Sequence, residues 1–291
     1  MSSTKPATPV IPQLSASLLL INSRNEILLV HRPTHSSTFA NGHVFPGGVT
    51  SSTDNESTSP LELCAIRETF EETGLLLTIP PPPQSALAGA QAARAEIHAG
   101  RLSFTEYLSS HGLEPAVGQL IPFTKWITPK TMARRFETHM FLYFIPEDNP
   151  SAPKTVGGRT KQLPTDDGGI EILSTRFMAP QLALDAAKRD EIVLFPPQFY
   201  LISMLLPFLE QSAGLEDHVA KLKRKQLVRF AKGNFGKMTV EPHVLRKLSD
   251  GRVLMGLGPN GDKDSFVVVQ FSEKGNPRGL ELLRGHDVAK L

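Results

Sequence analysis

Apolar positions along the first fifty residues come in short runs separated by polar punctuation. Residues 15–21 and 27–31 read as two strands, joined by a turn at Asn22-Ser23-Arg24-Asn25. Phe45-Pro46-Gly47-Gly48 breaks the pattern, and residues 50–59 form a polar loop. The spacing then becomes helical. Leu63, Ile66 and Phe70 fall at i, i+3 and i+7, one apolar stripe on a helix predicted over residues 60–73. Further helices are predicted at 85–99, 104–111, 181–189 and 199–210, and strands at 139–145 and 169–173. Residues 79–83 form a stiff proline-rich connector.

Beyond Glu216 the character shifts. A basic segment, 221–237, leads into short strand-like runs at Val253-Leu254-Met255 and 266–271, separated by Gly, Asp and Asn turns. The pattern predicts a Pro/Ser/Thr-rich disordered tail over 1–13, a principal domain over 14–215 and a small β-rich appendage over 216–291. No internal repeat is visible.

Composition narrows the function classes. A formal net charge of +2 gives no reason to expect a nucleic acid partner, which usually calls for a stronger, clustered basic excess. The apolar run Leu18-Leu19-Leu20-Ile21 is far too short to span a bilayer, and the opening residues lack the apolar core of a secretory signal. Cys64 is the only cysteine, which precludes an intrachain disulfide and suits a reducing compartment.

The candidate chemistry lies on the 60–73 helix. Ser59 and Glu62 have capping-box spacing, Pro60 takes the first helical position, and Gly74 is placed to close the helix in a left-handed conformation. Glu68, Glu71 and Glu72 share a side away from the apolar stripe. Like charges at this spacing cost about 0.2–0.5 kcal/mol per pair, and carboxylates in the last turn also oppose the helix dipole. A hard divalent cation reverses the sign of these terms, because Mg²⁺ and Mn²⁺ prefer carboxylate oxygen. The competing reading is a solvated acidic face. Arg67 is placed to order one carboxylate by a bidentate contact, and the upstream glycines allow close backbone approach to a phosphate. Cys64, inside the helix without an activating partner, reads as core.

Taken together, Gly48 and Arg67-Glu68-x-x-Glu71-Glu72-x-Gly74-Leu75 resemble the Nudix box, G-x5-E-x7-R-E-U-x-E-E-x-G-U. Two features depart from it: the x5 spacing from Gly48 reaches Asp54, with twelve residues rather than seven between it and Arg67, and Thr69 replaces an aliphatic residue. Leu28-Leu29-Val30-His31-Arg32 before Phe45-Pro46-Gly47-Gly48-Val49 is similar to the family's strand and entry loop. Trp126-Ile127-Thr128-Pro129, Arg135-Phe136-Glu137-Thr138 and Pro196-Pro197-Gln198-Phe199-Tyr200 resemble later landmarks of the branch that contains the peroxisomal coenzyme A diphosphatases.

The resemblance implies an α/β fold, an α/β/α sandwich with a mixed sheet, with the β-rich appendage added to it. It implies Glu68, Glu71 and Glu72 as ligands to Mg²⁺ or Mn²⁺, oriented by Arg67, and Arg32, Gly47 and Gly48 as substrate contacts. The general base is one of these glutamates or one outside the box, for which Glu137 is the candidate; pairing with Arg134 or Arg135 is its alternative role. The implied reaction is hydrolysis of a diphosphate linkage in coenzyme A or an acyl ester. Nudix hydrolysis of NADH, ADP-ribose or damaged nucleotides, and a catalytically silent binding module, remain open. The basic run Lys221, Lys223, Arg224, Lys225, Arg229, Lys232 and Lys237 is either a solvated helix face or a phosphate contact. Ala289-Lys290-Leu291 resembles the Ser-Lys-Leu peroxisomal address, so an import receptor is an expected partner and the peroxisome the expected location, with the cytoplasm as the alternative.

Overall fold

The computed structural model describes residues 10–146, 164–167, 171–210, 217–273 and 275–288. Strands β1 (Gln13–Ile21), β2 (Ile27–His31), β3 (His43–Val44) and β4 (Gly47–Val49) precede helix α1 (Pro60–Thr73). Then come β5 (Thr78–Ile79), α2 (Gln84–His98), α3 (Phe104–Ser110), β6 (Glu114–Pro115), β7 (Ile121–Ile127) and β8 (Phe136–Phe144). Next are β9 (Ser174–Met178), α4 (Pro180–Lys188), α5 (Pro196–Leu209) and α6 (Asp217–Lys232). The rest of the chain forms β10 (Thr239–Val240), β11 (His243–Lys247), β12 (Val253–Gly256), β13 (Ser265–Phe271), β14 (Pro277–Arg284) and the short α7 (Gly285–Val288).

The main sheet runs β10-β7-β8-β1-β2-β3, with β4 paired to β1 and β9 to β2. It is mixed: β1 lies parallel to β8 along its whole length and antiparallel to β2 and β4. Leu18 and Leu20 of β1 pack with Ile66 and Phe70 of α1 and Phe104 and Tyr107 of α3. Leu19 and Ile21 pack on the other face, with Tyr200, Leu201 and Leu205 of α5. A strand covered by helices on both faces needs apolar residues at every position, which is why 18–21 is a continuous run. The architecture is an α/β/α sandwich.

Several sequence expectations shift. Gln13 belongs to β1, so the predicted tail reaches one residue too far; positions 1–9 of it lie outside the described residues. Of the strand expected at 169–173, positions 169–170 lie outside the described residues and 171–173 are irregular; strand β9 begins at Ser174. The Asp167 carboxylate accepts the backbone N–H groups of Glu171 and Ile172, which removes them from any ladder. Strand β7 escaped the pattern because Pro122 and a bulge before Lys125 interrupt its alternation.

Residues 217–288 contain a four-stranded antiparallel sheet, β11-β12-β13-β14, together with α6 and β10. Leu227, Val240, Leu257 and Val267 belong to the same buried cluster as Leu19 and Tyr200, and β10 extends the main sheet beside β7. Arg224 of α6 donates to Asn25 Oδ1 and to the carbonyls of Asn22 and Ser23, tying this helix to the β1–β2 turn. The junction at 211–216 and the tripeptide 289–291 lie outside the described residues.

Candidate active site

Helix α1 lies against β1 and β4, and its two ends are held differently. At the C-terminus Gly74 takes the left-handed conformation (φ 73°) and donates to Phe70 O. At the N-terminus Pro60 takes the first position, but the capping box does not form. Glu62 instead accepts the Gly118 N–H at 2.6 Å, so a tertiary contact takes the side chain that would have closed the box. Thr69 is fully buried where an aliphatic residue was expected, and its hydroxyl donates to Ala65 O at 2.7 Å, which satisfies it within the helix.

Arg67 organises the acidic side. Its Nε and Nη2 reach both oxygens of Asp54, at 3.0 and 2.8 Å, and its Nη1 lies 2.9 Å from Glu68 Oε1 and 3.1 Å from Glu71 Oε1. Asp54 is 1% exposed. The longer loop therefore still delivers an acidic residue to the arginine, through a short 3₁₀ turn at Asp54–Glu56. Burial opposes the charge on Arg67, but Asp54, Glu68 and Glu71 raise its pKa above the ordinary arginine value.

Glu72 is buried and accepts the Gly47 N–H at 3.1 Å, with Arg32 Nη1 3.6 Å away. Burial, then the charge of Glu68, raises its pKa well above the usual carboxylate range. Burial likewise pushes Glu68 up to about 7; Arg67 opposes this, and Glu71 and Glu171 add to it. The two glycines make room for this packing. A Cβ at Gly48 would sit 2.4 Å from Glu68 Cδ, and one at Gly47 would sit 2.4 Å from Ala16 O. Arg32 Nε is buried without a hydrogen-bond partner among the described residues, an unsatisfied donor beside the acidic cluster.

Glu171 was not anticipated, because nothing in its local sequence distinguishes it. Leu173, two residues on, donates to His31 O, so the chain leading into β9 passes beside Arg32 and brings Glu171 to the charges of Glu68 and Glu72. Glu137 is engaged elsewhere, by Lys125 Nζ at 3.2 Å and His139 Nε2 at 3.1 Å, and not by Arg134 or Arg135. Burial raises its pKa, but Lys125 and His139 more than offset that and hold it low. Cys64 is buried with its thiol against Gly48 O, and burial pushes its pKa up to about 12, so it is no nucleophile.

Glu68, Glu71 and Glu72 suit a hard divalent cation by donor type: all are carboxylates, packed on one helical turn against glycine backbone. As placed, each is held by a protein donor, and among the described residues no three potential ligands converge on one point. Asp54, Glu68, Glu71, Glu72 and Glu171 still outnumber the guanidiniums of Arg32, Arg67 and Arg94 around them. A cation among the helix carboxylates would offset that excess, so the donor set fits the ion.

The NUDT19 Nudix domain family matches residues 57–205, just over half of the chain, and the general NUDIX domain family matches residues 11–98. The chain belongs to the Nudix hydrolase family. It is 29% identical over 177 residues to the acyl-coenzyme A diphosphatase NUDT19 of Homo sapiens, covering 55% of this chain and 44% of that protein. Against the putative nudix hydrolase 7 of Caenorhabditis elegans the identity is 28% over 193 residues, covering 66% and 59%. The chain thus spans less than two thirds of the length of these relatives. A Nudix hydrolase from Alicyclobacillus acidocaldarius shares the fold, with a TM-score of 0.53 at 22% identity over 67% of this chain and 90% of that one. Among the described residues of this Nudix chain, no helix is long and apolar enough to cross a membrane.

Proposed function

We propose that this chain hydrolyses the diphosphate linkage of coenzyme A or an acyl-coenzyme A, releasing 4′-phosphopantetheine or its acyl ester and adenosine 3′,5′-bisphosphate. The observation that carries the reading is the packed cluster of Glu68, Glu71 and Glu72 at the C-terminal half of α1, in a chain whose relatives include proteins named acyl-coenzyme A diphosphatase. Glu68, Glu71 and Glu72 would hold Mg²⁺ or Mn²⁺. Such an ion lowers the pKa of attacking water and neutralises charge on the diphosphate.

The protein's own groups have separate tasks. Arg67, braced by Asp54, orients Glu68 and Glu71. The partly exposed Arg32 guanidinium would donate to a phosphate oxygen, and Gly47 and Gly48 let the backbone come close. Positioning and electrostatics suffice for this chemistry, so no nucleophilic side chain is required. A carboxylate of the cluster, Glu171 included, takes the proton of the attacking water. Glu137, already held by Lys125 and His139, is the weaker candidate.

The test is product analysis by mass spectrometry with coenzyme A, an acyl ester, NADH and ADP-ribose, with Mg²⁺ and with chelator. Metal-dependent appearance of adenosine 3′,5′-bisphosphate is expected. Turnover of NADH but not coenzyme A, or cleavage indifferent to chelator, overturns the proposal. In the same assay Glu171→Gln should lower kcat and Glu137→Gln leave it near wild type; the reverse result moves the base to Glu137. We further propose a peroxisomal location, on the strength of Ala289-Lys290-Leu291. Fused to the C-terminus of a fluorescent protein, this tripeptide should direct it to peroxisomes, and diffuse cytoplasmic signal refutes that.

A further inference from the structure

Arg94 is 1% exposed on α2, and apart from one contact to Gln91 of the same helix its hydrogen bonds leave α2. Its Nε donates to the carbonyl of Glu71 at 2.9 Å. Its Nη1 donates to Thr165 Oγ1 at 2.9 Å, to Asp166 O at 3.0 Å and to Gln91 Oε1 at 3.1 Å. The last carbonyls of a helix lack intrahelical partners, and a cation there also meets the negative end of the dipole. Arg94 satisfies one such carbonyl, and the Thr165 N–H satisfies another, Thr73 O, at 3.0 Å. The 165–167 segment is thus fastened to the end of the helix that carries the acidic cluster.

That segment in turn holds Glu171. The Asp167 carboxylate accepts the Glu171 N–H at 2.7 Å and the Ile172 N–H at 3.2 Å. Leu173 then enters the sheet by donating to His31 O at 2.8 Å, one residue before Arg32, which faces Glu72. Gly74 leaves the room this requires: a Cβ there would lie 3.2 Å from Thr165 Oγ1 and 3.4 Å from Arg94 Nη1. A path therefore runs by hydrogen bonds from the backbone of Glu71 through Arg94 to Thr165, along the chain to Asp167, and by hydrogen bond again to the backbone of Glu171.

We infer that Arg94 is a positioning residue: by clamping the end of α1 to residues 165–167 it sets where Glu171 stands relative to Glu68 and Glu72. It touches no substrate: the backbone of Glu71 is its anchor, and it acts on the site through Glu171. The inference rests on the reading of Glu68, Glu71 and Glu72 as holders of a divalent cation, and adds a residue outside every motif of the sequence.

The test uses the full chain and Mn²⁺ alone, with free Mn²⁺ followed by electron paramagnetic resonance and thermal unfolding recorded in parallel. Losing a supporting contact of a metal site typically weakens affinity by about 10–100-fold, so Arg94→Lys and Glu171→Gln should each weaken Mn²⁺ binding by about 10-fold. Because one acts through the other, the double variant should bind about as weakly as either single variant. Losses that multiply, or an Arg94→Lys protein that binds Mn²⁺ like wild type, overturn the inference. Should Arg94→Lys fail to fold, Thr165→Val removes one acceptor while keeping the arginine, and its loss must again vanish in the Glu171→Gln background. Glu72→Gln serves as the control. If it leaves Mn²⁺ binding intact, the helix is not the metal site and the Arg94 inference falls with that reading; if it weakens binding, the Arg94 result stands on its own.

Discussion

At the scale of single residues, the Arg67–Asp54 pair has the clearest energetic consequence. Asp54 is almost fully buried; this guanidinium, its one cationic partner among the described residues, reaches both carboxylate oxygens, and the Ser51 N–H also donates to Oδ2. Removing one partner of a buried pair typically costs about 3–5 kcal/mol, because the remaining charge is stranded. Arg67→Met should therefore lose stability on that order in urea unfolding with chelator present, and Asp54→Leu in the same background should recover much of it. A loss below about 1 kcal/mol would show that Asp54 escapes to solvent. His43 makes a second prediction. Burial lowers its pKa from 6.5 to about 4, with His31 and Arg176 adding to the effect. Its ring stacks on His31, and its Nδ1 accepts the Val193 N–H. Between pH 6.5 and about 4 the unfolded chain binds a proton at this position that the folded chain refuses, so stability falls as pH falls through that window. The urea midpoint of His43→Gln should drop less than that of wild type between pH 7 and pH 4; identical pH profiles contradict the assignment.

At the scale of elements, α1 is held less by its own sequence than by what meets its ends. Gly74 is the exception, since its left-handed backbone costs a residue with a Cβ about 1–2 kcal/mol. In this fold the added Cβ would also press on Thr165 and Arg94. Gly74→Ala should lower the melting temperature by about 2–4 °C per kcal/mol lost, as expected for a chain of this size. It should also weaken Mn²⁺ binding, because the clamp on 165–167 shifts. Unchanged melting would mean that the helix end relaxes freely. Arg224 plays the corresponding part for α6. Its guanidinium serves the β1–β2 turn and lies over the Phe144 ring at 5.5 Å, so this member of the basic run is a structural tie.

At the scale of the whole molecule, residues 217–288 are continuous with the Nudix core. Leu227, Ala231, Phe235, Val240, Leu257 and Val267 pack in one cluster with Tyr200, Leu201 and Leu205. A chain ending at residue 215 would expose that face of the sheet and of α5. It should bind hydrophobic dye and lose its near-ultraviolet circular dichroism while retaining helix signal. A cooperative transition at the temperature of the full chain would show the C-terminal part to be dispensable.

Local spacing alone determined the α1 helix, its left-handed stop at Gly74, the buried stripe of Leu63, Ile66 and Phe70, and the crowding of Glu68, Glu71 and Glu72. These follow from interactions within a few residues, which a linear reading contains. Tertiary structure decided the rest. It gave Glu62 to Gly118 in place of its own cap, recovered the displaced Asp54 for Arg67, and took Glu137 away with Lys125 and His139. It also brought Arg94 and Glu171 to the helix end from 23 and 100 positions beyond Glu71 in the chain. Hydrogen bonds and charges act across a few ångströms of space, and only the folded backbone specifies which distant residues share those ångströms.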